Sequence, residues 1–292
     1  MTRVFPNNEA ASIRDALAAI QNLPTLPALV IKIMEDAANP DVSALDLAKH
    51  IAVDQSLSAS LLRLVNSAYY GFNRNISSIL DAVVLLGFTK VRDLVLTATA
   101  FKILPTSRSC FDRVQLWRHS IATAILAERI SRIKRYPIQN GYYTAGLLHD
   151  LGKVCFDLVI PSRYEEVVRK ARESGALVFE VEQNELGLDH GESGASLGEY
   201  WNLPSNVIAA MRGHHGVVEP SEGDGVVHVT IVADYLAYQA EMGETSNGRP
   251  PDKPDVSMGT LGLSEEIISQ ISKNVRESRD RIDTMLGILT ST

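Results

Sequence analysis

The sequence predicts an all-α protein built from short helices. Apolar residues recur at every third or fourth position along most of the 292 residues, the spacing that places side chains on one helix face. Stretches that alternate apolar and polar residues, as half-buried strands do, are scarce. Capping residues and glycines stand between the apolar stretches, so the chain divides into many short helical segments.

Three helices are predicted in the first third of the chain, each from an apolar stripe and a residue that can cap it. The stripes are, in order, Leu57, Leu61, Leu64 and Ala68; Ile79, Val83 and Leu86; and Val91, Leu94, Val95, Ala98 and Phe101. The predicted caps are, in the same order, Asp54 or Ser56, Ser77 or Ser78, and Thr89. Gly87 is predicted to end the second helix, because glycine adopts the backbone conformation that terminates helices.

Later helices are predicted from capping-box spacing and from the absence of turn residues. Ser162 with Glu165, and Asp189 with Glu192, have the spacing of a capping box. The Val-rich segment 226–232 has the composition of a strand, but it continues into Ala233 without a turn residue. We therefore expect a helix there.

The periodicity also predicts two helical domains. It stops at Leu104, and residues 105–109 are typical of a loop. We predict an N-terminal helical bundle over residues 1–104 and a second helical domain over residues 105–292. Residues 244–258, rich in Gly, Pro, Ser and Asp, are expected to form a long exposed loop.

Composition excludes several classes of protein. A hydrophobic fraction of 45% excludes an intrinsically disordered chain. With 28 basic and 35 acidic residues the net charge is −7, which argues against a general nucleic-acid coating function. Cys110 and Cys155 show no metal-binding spacing, and a pair of reduced thiols is expected. Neither a membrane span nor a signal peptide is recognisable, which predicts a cytoplasmic protein without membrane contact.

A set of histidines and aspartates carries the functional signal. Its members are His119 in LWRHS, His149 and Asp150 in AGLLHDLGK, His190 in DHGESG, His214 and His215 in MRGHH, and Asp234 in VADYLA. A single histidine of this kind is more often a hydrogen-bonded structural residue than a ligand. Together, however, they place many ionisable groups beside apolar helix residues, where a bound cation would satisfy them. The set therefore predicts a metal site.

Lys153 adds a second clue, because it follows His149 by four residues and Asp150 by three, on the same helix face. A metal lowers the pKa of bound water to about 7, and a metal with a lysine can neutralise charge on a phosphate. Hydrolysis of a phosphoester is the reaction these groups could support. The alternative is that Lys153 caps the C-terminal end of its helix.

The order of these residues resembles a known signature. His119, then His149-Asp150, then Asp234 are similar to the H…HD…D pattern of the HD superfamily of metal-dependent phosphohydrolases. The additional His190, His214 and His215 resemble the extra ligands of its two-metal members. The segments LPTLPALVIKIM, DQSLSASLLRLVNSAYYG and SSILDAVVLLG resemble the N-terminal half of HDOD proteins, the HD-related output domains of bacterial signalling.

The resemblance implies a helical bundle followed by an HD-like helical domain. It implies a regulatory output module that acts through signalling protein partners, with one or two divalent ions (iron, manganese, zinc or nickel) in a structural or sensory site and a nucleotide as a possible ligand. HDOD domains are generally regarded as modules without demonstrated hydrolase activity.

Two alternatives to this module stay open. One is a metal-dependent phosphohydrolase of nucleotides or cyclic nucleotides, with Lys153 contacting the phosphate. The other is a scaffold whose polar residues bind only one another and water. The Gly-Tyr-Pro tripeptide of the related cyclic-dinucleotide phosphodiesterases is absent, and residues 216–220 stand in its place. This difference favours the regulatory module over the enzyme.

Two features of the first third have both a structural and a partner-binding interpretation. Asn66 and Ser67 either terminate a helix or contribute to a partner site, and the first is favoured because both are ordinary turn residues. Tyr69, Tyr70 and Phe72 either anchor a partner or pack against the second domain.

Overall fold

The computed structural model describes residues 25–67, 69–103, 109–137, 140–216 and 225–290, and within these ranges the only regular structure is helical. The all-α prediction is confirmed. None of the described helices is both long and apolar enough to cross a bilayer. In chain order the helices are α1 (Ala28–Ala38), α2 (Ala44–Ala52), α3 (Gln55–Val65), α4 (Ile79–Leu86), α5 (Phe88–Ile103), α6 (Arg113–Ile133), α7 (Tyr142–Leu148), α8 (Leu151–Val159), α9 (Pro161–Ser174), α10 (Val178–Leu186), α11 (His190–Tyr200), α12 (Ser205–Gly213), α13 (Gly225–Gln239), α14 (Asp255–Thr260), α15 (Glu265–Glu277) and α16 (Arg279–Thr290).

Most of the predicted helix signals act as expected. The side chains of Asp54, Ser78 and Asp189 each accept a hydrogen bond from a backbone N–H in the first turn of α3, α4 and α11. Gly87 ends α4 with a φ of 81°, a conformation that a residue with a Cβ adopts only under strain. Residues 226–232 lie inside α13, so the helix predicted there is also confirmed.

Two predicted caps are wrong. Helix α5 begins at Phe88, immediately after Gly87, so Thr89 lies within the first turn and does not cap it. Helix α9 begins at Pro161, whose ring fixes φ at a helical value, and its N-cap is Ile160, which makes no side-chain cap bond. Ser162 is therefore already inside the helix. Of the other predicted features, Ala68, Leu104 and the first two residues of LPTLP lie outside the described residues.

Helix α5 contacts helices from both ends of the chain. It packs against α1, α3 and α4, and also against α7 and α16. Helix α16 in turn contacts α3 and α6. The Phe101 ring lies 5.4 Å from the ring of Trp117 on α6, so apolar packing continues from the first group of helices into the second. The domain boundary between residues 104 and 105 stays a prediction.

Residues 244–258 form a different structure from the exposed loop that their composition predicts. The Thr245 and Ser246 side chains are buried, and residues 255–258 belong to α14. The segment is held down by the Gly248 N–H, which donates to the Ala176 carbonyl over 2.9 Å, and by the Asn247 side chain, which accepts from the Val178 N–H. These long-range hydrogen bonds hold the segment against the connection between α9 and α10.

Asn66 has a structural role. Its side chain accepts a hydrogen bond from the Ile76 N–H over 2.7 Å and donates to the Ile76 carbonyl over 2.8 Å. These two bonds hold the connection between α3 and α4 closed, as a pair of backbone hydrogen bonds would. The helix-terminus interpretation of this residue accounts for all of these bonds.

Tyr70 lies in an aromatic cluster whose packing predicts a loss of stability on truncation. Its ring stacks on Phe72 at 6.2 Å and meets Tyr69 edge-on at 4.9 Å, and its hydroxyl is buried without a hydrogen-bond partner among the described residues. We expect Tyr70→Ala to lower the free energy of unfolding by roughly 3 kcal/mol. Tyr70→Phe should cost almost nothing, because the hydroxyl forms no bond to lose. Urea denaturation of the three proteins measures both effects, and an unchanged Tyr70→Ala midpoint would refute the packing role.

Candidate metal centre

All of the predicted ligands lie in the described part of the chain and come together in one cluster, which we call the centre; His215 and Asp234 are half-buried and the others are buried. It consists of His119 in α6, His149 and Asp150 between α7 and α8, His190 at the start of α11, His214 and His215 after α12, and Asp234 in α13. Residues separated by more than a hundred positions in the sequence are thus within contact distance.

A glycine explains how two of the elements approach each other. A Cβ at Gly152, in the first turn of α8, would lie 1.8 Å from the His190 carbonyl oxygen. Only glycine permits this contact, which brings the N-terminus of α8 against that of α11. Asp150 and His190 consequently come within 3.1 Å, measured from Oδ1 to Nε2.

One half of the centre is formed by His119, His149 and Asp150, whose ligand atoms lie within 4.8 Å of one another. Asp234 joins this half, because its Oδ1 lies 2.7 Å from His119 Nε2 and 3.6 Å from His149 Nε2. His149 Nε2 also lies 3.6 Å from Asp150 Oδ2. Two imidazoles and two carboxylates therefore face one small volume.

The other half is formed by His190, His214 and His215, whose ligand atoms also lie within 4.8 Å of one another. Asp150 reaches this half with its second oxygen, since Oδ1 lies 3.1 Å from His190 Nε2 and 3.6 Å from His214 Nε2. Asp150 thus stands between the two halves with one oxygen toward each.

Two of the imidazoles are held by backbone carbonyls in the tautomer that binds a metal through Nε2. The Nδ1 atoms of His149 and His214 must donate their protons to the carbonyls of Gly146 and Met211, 2.8 and 2.7 Å away, because a carbonyl only accepts. In a neutral ring this leaves a lone pair on Nε2. The Nε2 atoms of His149, His190, His214 and His215 are all buried, and none has a hydrogen-bond partner among the described residues. Buried polar atoms normally have partners, so these four atoms fit a bound cation.

Charge within the centre also favours a cation. Burial would raise the pKa of Asp150, but the nearby Lys153 and His149 hold it well below its usual value. Asp234 is likewise kept ionised against burial by His119 and His149, which lower its pKa. Burial lowers the pKa of both His214 and His215, so these rings are neutral at pH 7. Burial would lower the pKa of His149 and of His190, but Asp150 raises the first and Glu182 raises the second to about 9. The two carboxylates and the imidazoles together form a donor set that divalent ions prefer.

Lys153 lies in the first turn of α8, and the alternative of a C-terminal cap is therefore wrong. The helix begins at Leu151, immediately after the kink at Asp150, which places the lysine at the opposite end from the exposed carbonyls. Its Nζ donates to Asp150 Oδ2 over 2.8 Å and to the Thr245 carbonyl over 3.1 Å. The buried ammonium therefore links the centre to the segment 244–258.

A cavity of about 390 Å³ opens on the centre. Asp150, Lys153, Asp234 and the three later histidines line its floor, and residues of 245–257 form much of its wall. The Phe179 ring, also in the wall, stacks on His215 at 4.3 Å. The volume lies within the range of small-molecule sites, roughly 300–1,000 Å³.

Sequence analysis missed two residues that support the centre. The Glu182 carboxylate accepts hydrogen bonds from His190, and the Tyr164 hydroxyl donates to Glu182 over 2.7 Å. A signal for Glu182 exists in the sequence: it occupies the buried face of α10 between Val178 and Leu186, with four-residue spacing on each side. A carboxylate in such a position requires a buried partner.

Comparisons with known proteins agree with this architecture. The family model described as the HDOD domain matches residues 23–217. An uncharacterized protein of Treponema pallidum (strain Nichols) is 32% identical over 239 residues, which are 81% of this chain and 45% of that protein. The chain thus spans about half the length of this curated relative.

Solved structures show the same fold. An HDOD domain protein of Geobacter sulfurreducens matches with a TM-score of 0.83 and 26% identity, over 95% of this chain and 98% of that one. A proposed signal transduction protein of Marinobacter aquaeolei VT8 matches with a TM-score of 0.80 and 23% identity, over 99% and 68% of the two chains. A proposed phosphohydrolase of Shewanella amazonensis SB2B gives 0.74 and 21%, over 94% and 98%. Because their sequence identities are below 25%, the last two matches show only that the fold is shared.

Proposed function

The chain belongs to the HDOD family, and we propose that it is a regulatory output module of bacterial signalling that holds divalent metal at the centre and acts through protein partners. The observation that carries the metal site is a group of four buried imidazole Nε2 atoms that lack hydrogen-bond partners among the described residues. Three of them, those of His149, His190 and His214, lie within 3.6 Å of a carboxylate oxygen of Asp150 or Asp234, and His215 adjoins the last two histidines. A scaffold of mutually hydrogen-bonded side chains would not leave these atoms without partners.

The arrangement supports two metal positions. His119, His149 and Asp234 would hold one ion, and His190, His214 and His215 the other, with Asp150 reaching both. Mixed imidazole and carboxylate ligands suit iron, manganese, zinc and nickel. When bound, such an ion supplies Lewis acidity and lowers the pKa of a coordinated water.

We further propose that the site is sensory rather than purely structural. A structural ion is usually enclosed by its protein ligands, whereas this centre faces a cavity of about 390 Å³. The cavity wall combines aromatic side chains, Phe179 and Tyr235, with the polar groups of Asn247 and Lys253. These contacts suit a ligand with a flat ring and an anionic group, and a nucleotide has both.

A metal-dependent phosphohydrolase is the second candidate, and one observation favours it. The Lys153 ammonium, which lines the same cavity, uses two of its three hydrogens on Asp150 and Thr245. The third is available to a phosphate oxygen beside the centre. Lys153 would then neutralise charge that develops on the phosphate.

Metal analysis tests the proposed function directly. Protein purified without chelator and without a nickel column should contain one or two equivalents of a transition metal by elemental analysis. Extraction with a chelator followed by back-titration should restore the same content. A chain that never takes up metal under these conditions would establish the scaffold alternative in place of our proposal.

Hydrolysis of cyclic dinucleotides is expected to be absent or very weak. Gly216 follows His215 where the phosphodiesterases carry Gly-Tyr-Pro, and residues 217–220 lie outside the described residues. Metal-loaded protein incubated with cyclic di-GMP should therefore form no linear product, as followed by chromatography. Robust turnover that Asp150→Ala abolishes would contradict this prediction and establish the enzyme alternative.

A further inference from the structure

Glu182 is fully enclosed and binds His190 with one carboxylate oxygen. Its Oε2 accepts from the His190 backbone N–H over 2.8 Å and from the ring Nδ1 over 2.6 Å. Its Oε1 accepts from the Tyr164 hydroxyl over 2.7 Å. Both carboxylate oxygens therefore already have hydrogen-bond partners. We do not count Glu182 among the proposed metal ligands.

The need for Glu182 follows from where each histidine stands on its helix. His149 and His214 directly follow the last residues of α7 and α12, so their Nδ1 atoms reach carbonyls three residues earlier that the helix leaves unpaired. His190 is the first residue of α11, where the unpaired backbone groups are N–H donors. No local carbonyl of that kind can fix its ring, and a side chain from α10 does so instead.

We propose that Glu182 is a positioning residue. It holds the proton on His190 Nδ1, aims Nε2 at the centre beside Asp150, and thereby sets the affinity of the half formed by the three later histidines for a divalent cation. The inference rests on the proposed metal binding. A charged acceptor makes a stronger hydrogen bond than a carbonyl and raises the basicity of the ring it holds. His190 is the only one of the three later histidines for which the described residues show such a carboxylate at Nδ1.

Cobalt titration tests the energetic part of this proposal. Metal-free wild type, Glu182→Gln and Tyr164→Phe are titrated with Co²⁺, and the visible absorption reports each ion bound. Glu182→Gln keeps the shape of the side chain but removes its charge, and we expect one of the two Co²⁺ ions to bind about 10- to 100-fold more weakly. Tyr164→Phe leaves both bonds to His190 in place and should retain most of the affinity. Unchanged Co²⁺ binding by a folded Glu182→Gln protein would overturn the proposal.

Nuclear magnetic resonance of the metal-free protein tests the positioning itself, so failure of metal binding and failure of this inference can be distinguished. In wild type and in Tyr164→Phe, the His190 Nδ1 proton should give a downfield, slowly exchanging resonance, as expected for a buried 2.6 Å bond to a carboxylate. The resonance should move upfield in Glu182→Gln, because the acceptor becomes neutral. Two results would overturn the inference even if Co²⁺ binds. One is that wild-type protein carries no proton on His190 Nδ1, and the other is that Glu182→Gln leaves the resonance unchanged. A wild type that shows the resonance but binds no Co²⁺ would instead refute the proposed metal function.

Discussion

Replacing Asp150 by asparagine is expected to lower the affinity of the centre for metal by at least about 100-fold, a larger effect than loss of a supporting residue. Among the described residues, Asp150 is the one carboxylate near both halves: Oδ1 faces His190 and His214, and Oδ2 faces His149. Asparagine keeps the side-chain shape but cannot carry the negative charge, so each of the two proposed metal positions would lose a charged ligand. Elemental analysis and competition with a chelator measure the loss.

Asp252→Asn is the matched control, because Asp252 lines the same cavity but lies outside the centre, is exposed, and pairs with the half-buried Arg249. Its metal content should equal that of the wild type. Thermal unfolding of both variants in chelator checks that the fold survives, since Asp150→Asn also takes the carboxylate from the buried Lys153. Equal metal content in the wild type and in a folded Asp150→Asn protein would rule out Asp150 as a ligand.

The sequence identified the helices of the centre better than the contacts that support them. Apolar periodicity and caps such as Asp54 and Ser78 are local signals, and they placed most helices correctly. The His and Asp residues were recognisable because several ionisable groups occur within apolar helical segments. Their association across α6, α11 and α13 is a tertiary property, which the order of the motifs could indicate only through resemblance to a family.

Prediction from the sequence did not give the structure of residues 244–258 or the role of Glu182. The composition of the segment is that of an exposed loop, but it is held at the cavity by two single hydrogen bonds: Gly248 donates to one residue about 70 positions away, and Asn247 accepts from another. No local pattern encodes such bonds. For Glu182 the helical register did carry information, because it places the carboxylate on the buried face of α10, whereas its partner His190 depends on how α10 and α11 pack.

Arg113→Ala is expected to destabilise the protein by about 3–5 kcal/mol, the cost of leaving a buried carboxylate unpaired. Arg113, in the first turn of α6, donates from Nε to Asp157 Oδ2 over 3.2 Å and also from Nη2, and both side chains are almost completely buried. The pair fixes the start of α6 against the end of α8, the helix that follows the HD motif. Urea denaturation in chelator isolates this effect from metal binding. Arg118→Ala provides the control on the same helix, because its pair with Asp283 is partly exposed and should contribute less than about 1 kcal/mol.

The same pair makes the effect of the substitution depend on pH in a direction that can be predicted. Burial raises the pKa of Asp157, but hydrogen bonds from Arg113, Ser109 and the Cys110 N–H outweigh it, so the net pKa is lowered. A carboxylate whose pKa is depressed by folding stabilises the protein fully above its unfolded value of about 3.9, and this contribution is lost as the pH falls toward the folded value. The difference between wild type and Arg113→Ala should therefore be largest at neutral pH and should shrink below about pH 4. Arg113→Met with Asp157→Leu should recover only part of the loss, because removing the Asp157 carboxylate leaves the Cys110 N–H without its acceptor. A difference that stays constant from pH 7 to pH 3 would show that Arg113 contributes through packing rather than through its charge.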